Sequence, residues 1–199
     1  KLGVMIRYGI PACRLPREYL DADINHILST GIKAQFGISV GKDFTVEDLR
    51  KEYDAVYLAF GAHNAKKMRI SGEESAGVIS AIDILREVGY GNPPDLTGKK
   101  VVIVGGGNVA MDAARTSVRL GAEKVYIAYR RSRADMPALD EEIDGAIAEG
   151  CELMELYAPD HVITDENSHV KALALRPQIP GPIEGGRPKP YDAPEPVLE

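Results

Sequence analysis

The stretch KKVVIVGGGNVAMDAARTSVRLGAEKVYIAYRRSR, from Lys99 to Arg133, constrains this chain more than any other. Val101 to Val104 reads as a strand, Gly105-Gly106-Gly107 as a tight turn, Asn108 to Leu120 as a helix and Lys124 to Tyr129 as a second strand. Gly105, Gly107 and Ala110 fit the pattern G-x-G-x-x-A. In that pattern the first glycine permits the turn, the second lets the backbone approach a pyrophosphate, and the small third residue lets the helix pack closely on the strand. Free amides and the dipole at the helix start favour an anion there. Gly105, Gly106, Gly107, Asn108, Val109 and Ala110 are therefore candidate dinucleotide-binding residues. A tight strand–helix turn without a ligand fits the same residues, so the second strand has to decide whether a cofactor binds and which one.

The end of the second strand separates the cofactors. An acid there would accept hydrogen bonds from the ribose 2′-hydroxyl of NAD, and a methyltransferase with a related glycine turn would also want one. This chain has Arg130 and Arg131 instead, with Arg133 close behind. Glu123 lies before the strand, at the wrong end of the sheet. Guanidinium groups match phosphate geometry and stay charged, so Arg130, Arg131 and Arg133 are read as the 2′-phosphate site of NADPH. The alternative is a solvated or ion-paired cluster facing Asp135, Asp140 and Glu141.

Composition bounds the rest. The chain has 199 residues and a net charge of -6, with a pI near 5.3, which argues against a nucleic-acid or anionic-membrane surface. An anion must then be held by a local basic cluster against the overall field. No apolar run approaches a membrane span, and KLGVMIRYGIP lacks the apolar core of a secretory signal. Cys13 and Cys151 are too far apart for a CxxC motif and read as reduced thiols, which implies a cytoplasmic location. Cys13 reads as a buried structural thiol. His26, His161 and His169 show no metal-ligand spacing, so no metal is expected.

Along the chain, Pro16 to Thr30 has helical spacing that stops at Gly31, and Ile32 to Phe36 is short and strand-like. Thr45 and Asp48 stand at capping-box spacing in TVEDLRKEY. Asp54 to Phe60, DAVYLAF, reads as a buried strand bounded by Gly61, and Ser80 to Val88 as a helix with an N-cap serine. Ala138 to Glu149 is amphipathic, with Leu139, Ile143 and Ile147 on one face, and Leu153 to Tyr157 reads as a strand. His161 to Thr164 and Val170 to Leu175 flank the turn DENS, a hairpin pattern. Strands alternating with helices make an α/β fold with a parallel sheet and a late antiparallel addition. From Pro177 to Glu199, seven of 23 residues are proline, which reads as an extended linker or unpaired tail. With no initiator methionine and turn-like residues at the start, both ends read as cut from something larger.

Several separate runs, in order, carry a resemblance. IRYGIPACRLPREYLD, VGKDFTVEDLRKEYDAVYLAFGAH, ISGEESAGVISAIDILREV and GGGNVAMDAARTSVRLGAEKVYIAYRRSRADMPA are similar to the glutamate synthase small subunit. They also resemble the related flavin modules of dihydropyrimidine dehydrogenase and adrenodoxin reductase, over about residues 1 to 157. The resemblance implies a Rossmann-like NADPH domain inserted into an FAD domain, with hydride passing from NADPH to flavin and electrons leaving to iron–sulfur centres or a partner subunit. It places the pyrophosphate on Gly105, Gly107, Asn108, Val109 and Ala110, the 2′-phosphate on Arg130 and Arg131, and the flavin beside Ala59, Gly61 and the segment Arg7, Tyr8, Gly9, Ile10, Pro11. Tyr8 fits either ring stacking or core packing, and His63 reads as a surface turn residue.

On this reading residues 1–62 are a partial FAD-binding domain, 63–176 the NADPH-binding domain, and 177–199 the proline-rich return toward the FAD domain. The first FAD fingerprint, the late FAD motif and any iron–sulfur cysteine cluster are missing from the sequence. The fragment alone is therefore expected neither to hold FAD tightly nor to turn over. No nucleophile–base pair is evident, as suits hydride transfer between cofactors that the protein orients. Two other classes remain: an NADP-dependent dehydrogenase of a small substrate without flavin, and a non-catalytic nucleotide-sensing module.

Overall fold

Four helices precede the first strand in the computed structural model, which describes residues 2–198. α1 (Val4–Gly9) and α2 (Arg17–Ser29) are joined by a turn in which the Pro11 carbonyl accepts from the amides of Arg14 and Leu15. α3 (Val46–Glu52) starts at a complete capping box: Thr45 accepts from the Asp48 amide, and the Asp48 carboxylate accepts from the Thr45 amide. α4 (Ala81–Tyr90) starts at Ser80, whose hydroxyl accepts from the Ile82 amide, and ends at Gly91 in the left-handed region. α1 lies directly on α4. A Cβ at Gly89 would stand 2.5 Å from the Tyr8 Cα, so only glycine allows this approach.

Strand and helix alternate in the next part of the chain. β1 (Lys100–Val104), β2 (Lys124–Tyr129) and β3 (Glu152–Glu155) form a parallel sheet in the order β1-β2-β3, with Val101 opposite Val125 and Ile127 opposite Leu153. α5 (Asn108–Arg119) and α6 (Asp140–Ala148) make the two crossovers that parallel strands require. Met111, Ala114, Val125, Ile127, Ile143, Ala146 and Cys151 meet in one core. α5 buries the small residues Ala110, Ala113, Ala114 and Ser117, of which Ala110 and Ala114 lie in the core shared with β2. The buried Ser117 hydroxyl donates to the Ala113 carbonyl at 2.8 Å, so its polarity is satisfied within the helix.

A second sheet is antiparallel, in the order β4-β5-β6: β4 (Tyr157–Thr164), β5 (Val170–Glu184) and β6 (Arg187–Asp192). The expected hairpin around DENS is present. The Asp165 carboxylate holds its turn by accepting from the amides of Asn167 and His169, both at 2.9 Å.

Residues 177–199 are expected as a linker or unpaired tail; residues 177–198 are instead largely paired, and Glu199 lies outside the described residues. β5 runs through Pro177 to Glu184, and Gly185-Gly186, with φ of 59° and 82°, turns the chain into β6. Two glycines at positive φ are what a two-residue hairpin loop needs. The prolines are tolerated because β4 pairs with β5 only as far as Pro177, and β6 only from Gln178 onward. Each half of β5 thus has one strand partner, with a single bridge from Leu175 to Leu198 on the other side of the first half, so most of each half is an edge where a missing amide loses no ladder bond. The boundary expected after residue 176 falls inside β5.

Two expected strands do not form. Ile32–Phe36 and Asp54–Phe60 contain no strand, and their apolar side chains face solvent, Tyr57 at 92% and Phe60 at 74% exposure. A strand needs a neighbour to complete its hydrogen bonds, and no strand among the described residues lies beside either segment. Cys13, expected as a buried thiol, is exposed, whereas Cys151 is buried. Burial pushes the Cys151 thiol up to about 11.

Two outcomes are expected from this packing. Gly89→Ala gains helix propensity but forces a Cβ into Tyr8, and the clash dominates: a net loss of about 1–3 kcal/mol, read by denaturant unfolding. Equal or greater stability would show that α1 does not press on α4. Alkylation at pH 8 and then peptide mass mapping should label Cys13 well ahead of Cys151. The reactive species is the thiolate, and a raised pKa leaves about one Cys151 in a thousand ionised at that pH.

Candidate dinucleotide site

The site is built where β1 hands over to α5. Gly105 has φ of 137°, a conformation that L side chains rarely adopt, and its amide donates to the Ala128 carbonyl of β2 at 3.0 Å. Gly106 is buried under the Tyr129 ring: a Cβ there would lie 2.7 Å from two ring carbons and 3.1 Å from Met136 Cγ. Gly107 caps α5 with no side chain, so nothing of its own occupies the helix start. A Cβ at Gly107 would meet nothing nearer than Pro137 Cγ at 3.9 Å. The space in front of the first amides of α5 is therefore open to an anion, which the helix dipole favours. Ala110 packs underneath, its Cβ 3.6 Å from where a Gly105 Cβ would be.

The loop between β2 and α6 closes one side. The Gly106 carbonyl accepts from the Ala138 amide at 3.1 Å, and Asn108 Oδ1 accepts from the Leu139 amide at 3.0 Å. The Tyr129 hydroxyl donates to the Asp135 carbonyl at 3.0 Å, and Ser132 holds the Asp135 carboxylate at 2.6 Å. The side-chain oxygen of Asn108 thus fastens the loop, which leaves its backbone amide at the open helix start. Val109 is exposed at the same turn.

The three arginines at the end of β2 are used differently. Arg130 is exposed and makes no hydrogen bond or ion pair among the described residues. Arg131 Nε donates to the Pro188 carbonyl of β6 at 2.6 Å, leaving the two terminal nitrogens of its fork. Arg133 is ion-paired with Asp144 of α6, whose hydrogen bond raises its pKa, and the Arg133 amide donates to the Glu155 carboxylate. Asp135 is engaged by Ser132, and the carboxylate found on an arginine is Asp144. Arg130 and Arg131 are available for a phosphate; Arg133 is already neutralised.

The segments expected beside a flavin meet through one contact. The Tyr8 hydroxyl is hydrogen-bonded to His63 Nδ1, two residues beyond Gly61, and this draws residues 7–11 next to the exposed Ala59–Gly61 run. Tyr8 is buried, with its ring 5.5 Å from that of Tyr90 and the Arg86 guanidinium 5.4 Å over its face, so core packing is its role here. His63 is half-buried rather than a free surface residue, and its carbonyl accepts from Arg86 at 3.2 Å. Arg7 is occupied by the Leu2 carbonyl and Asp21. The Ile10 carbonyl accepts from Arg17 at 2.9 Å; Gly9 and Pro11 complete the turn.

One group of residues escaped the sequence reading. Arg14 donates to both oxygens of Asp112 at 2.9 and 2.8 Å, and its Nε lies 2.9 Å from Glu142 Oε1. Asp112 is 4% exposed, and burial raises its carboxyl pKa against the opposing pull of Arg14. The signal available was Asp112 itself, an acidic residue set among the small residues that follow the glycine turn. Among the described residues no group of three or more His, Cys, Asp and Glu could hold a metal, and no helix is long and apolar enough to cross a membrane.

Comparison with known proteins places this geometry in a family. The chain is 42% identical over 196 residues to the NADPH-Fe(3+) oxidoreductase subunit beta of Geobacter sulfurreducens, an alignment covering 96% of this chain and 29% of that one. It is 32% identical over 198 residues to the glutamate synthase [NADPH] small chain of Escherichia coli, covering 94% of this chain and 42% of that one. The chain thus spans less than half the length of these relatives, one named as a subunit and the other as a small chain. Mycobacterium tuberculosis FprA in complex with NADPH shares the fold, with a TM-score of 0.76 at 20% identity over 98% of this chain and 59% of that one. The sequence profile of the pyridine nucleotide-disulphide oxidoreductase family matches residues 18–155, and the chain belongs to that family.

Proposed function

We propose that this chain is the NADPH-binding part of a flavin-dependent oxidoreductase, with the adjoining segments that touch FAD. In this reading NADPH gives a hydride to FAD, and the electrons continue to an iron–sulfur centre or a partner subunit. One observation carries it: the open start of α5 and the unpaired fork of Arg130 lie at the ends of adjacent parallel strands. Dinucleotide-binding units hold the pyrophosphate at the first of these ends and the ribose 2′-phosphate at the second. The names of the relatives, two of them NADPH enzymes, support the same choice of nucleotide.

The residues have separate tasks. The amides of Asn108 and Val109 hold the pyrophosphate, with Gly105 and Gly107 leaving room for it. Arg130 and the terminal nitrogens of Arg131 hold the 2′-phosphate. Residues 7–11 and 59–61 form one side of the flavin site, and residues 1–62 belong to the FAD domain. Bound FAD supplies the two-electron acceptor; the protein orients donor and acceptor and keeps water away. Ile32–Phe36 and Asp54–Phe60 have the pattern of strands whose neighbours belong to that domain. The two free thiols support a cytoplasmic location. The isolated 199-residue chain should bind NADPH without turning it over.

Titration of the chain with NADPH and NADH checks the phosphate assignment. The expected result is a preference for NADPH of about a hundredfold, falling to near parity in Arg130→Ala with Arg131→Ala. Equal affinities in the unaltered chain, or an unchanged preference in the double variant, would overturn it. Gly106→Ala should weaken NADPH binding and lower stability by about 1–3 kcal/mol, because its methyl group meets the Tyr129 ring and pushes the turn out of line. Visible flavin absorbance in the full-length protein, bleached by NADPH, separates this reading from a flavin-free dehydrogenase and from a nucleotide sensor.

A further inference from the structure

Arg14 ties together two parts of the molecule that are 98 residues apart in sequence. On one side it ends the turn that begins at Pro11, directly after the segment 7–11. On the other it grips Asp112 of α5, one helical turn beyond Asn108 and on the same face, and Glu142 of α6. The grip is three-pointed: two bonds from one terminal nitrogen to the Asp112 carboxylate, and Nε toward Glu142. Glu142 is itself held by Arg115, and Arg115 and Arg119 share Glu149. Three guanidiniums therefore face three carboxylates, and the cluster adds no net charge beneath the phosphate-binding helix start.

The geometry makes this an anchor rather than a surface pair. The Arg14 side chain is 23% exposed and Asp112 is buried, so solvent does little to loosen the contact. A planar guanidinium with fixed donors sets direction as well as distance, which an ammonium would not. Tyr8 on Gly89 holds the first half of the segment, and Arg14 holds the second. Between the two anchors lie Gly9, Ile10 and Pro11.

We infer that Arg14 is a positioning residue: by locking residues 7–11 to the helix that holds the pyrophosphate, it sets the separation of nicotinamide and flavin for hydride transfer. This rests on the NADPH-to-flavin reading proposed above. Hydride transfer needs its donor and acceptor atoms within about 3–3.5 Å, and a displacement of about 1 Å can slow such a step roughly a hundredfold. Arg14 acts through Asp112 and Glu142 on where the two sites stand, without touching either cofactor.

The test uses the full-length FAD-loaded protein, mixed anaerobically with NADPH while flavin bleaching is monitored. Arg14→Gln should slow flavin reduction about ten- to hundredfold, with the Kd for NADPH within about twofold. The isotope effect with NADPH deuterated at the transferred position should rise. Arg14→Lys should recover part of the rate. Arg14→Gln with Asp112→Asn should stay as slow as Arg14→Gln, because the unpaired charge has gone but the tether has not returned. Rates are expressed per bound flavin, and should Arg14→Gln shed FAD, Arg14→Lys carries the comparison. An unchanged rate overturns the inference. So does recovery in the double variant, which would make Arg14 a charge screen, or a loss explained wholly by lost FAD or NADPH binding. If the unaltered protein is not bleached by NADPH, the parent reading fails first and this one with it.

Discussion

Everything in this structure that concerns a nucleotide depends on how closely α5 approaches the parallel sheet. Ala110 and Ala114 are buried in the core that α5 shares with β2, and Ala113 and Ser117 are buried on the same helix. A larger side chain at Ala110 or Ala114 would push the helix away and carry its first amides out of line with the end of β1. The glycine turn is short only because the helix is near: Gly105 turns at positive φ, and Gly106 slides beneath Tyr129. The turn and the helix face are one device, and neither would aim the amides without the other.

What could be read from the sequence was whatever is completed by near neighbours in the chain. β1, α5 and β2 satisfy one another within about thirty residues, and the pattern located β2 to its end residues. The capping box at Thr45 and Asp48 is local in the same sense. Asp54–Phe60 has as strong a strand pattern as β1, yet lies exposed, because alternation and branching describe a surface that fits a sheet and cannot supply the sheet. The proline-rich end misled in the opposite direction. Proline counts against a strand with two neighbours, but β5 has one strand partner along each half, apart from the single bridge of Leu175 to Leu198, and Gly185-Gly186 was the sign that its partner comes at once.

The site was legible by residue type but not by allocation. Three arginines at one strand end look equivalent in sequence. Folding separates them, with Asp144 neutralising Arg133, the Pro188 carbonyl orienting Arg131, and Arg130 left to solvent. The chain carries a net charge of -6 and pairs most of its guanidiniums internally. Among the described residues Arg130 is left unpaired at the strand end beside a helix start whose dipole also favours an anion, so the local charge there opposes the global one.

Asp112 shows why the remaining charges sit where they do. A buried carboxylate on α5 is unfavourable through its own desolvation. Leaving it unpaired would cost stability; replacing it with an apolar residue would relieve that cost and lose a fixed point on α5. Pairing it with Arg14 offsets the desolvation and places that fixed point under the segment that leads to Tyr8 and His63. A buried ion pair of this kind contributes little net stability over apolar packing but has a strict geometry. That balance is what two cofactor sites on different segments require, since a hydrophobic contact would hold them together and leave their separation loose.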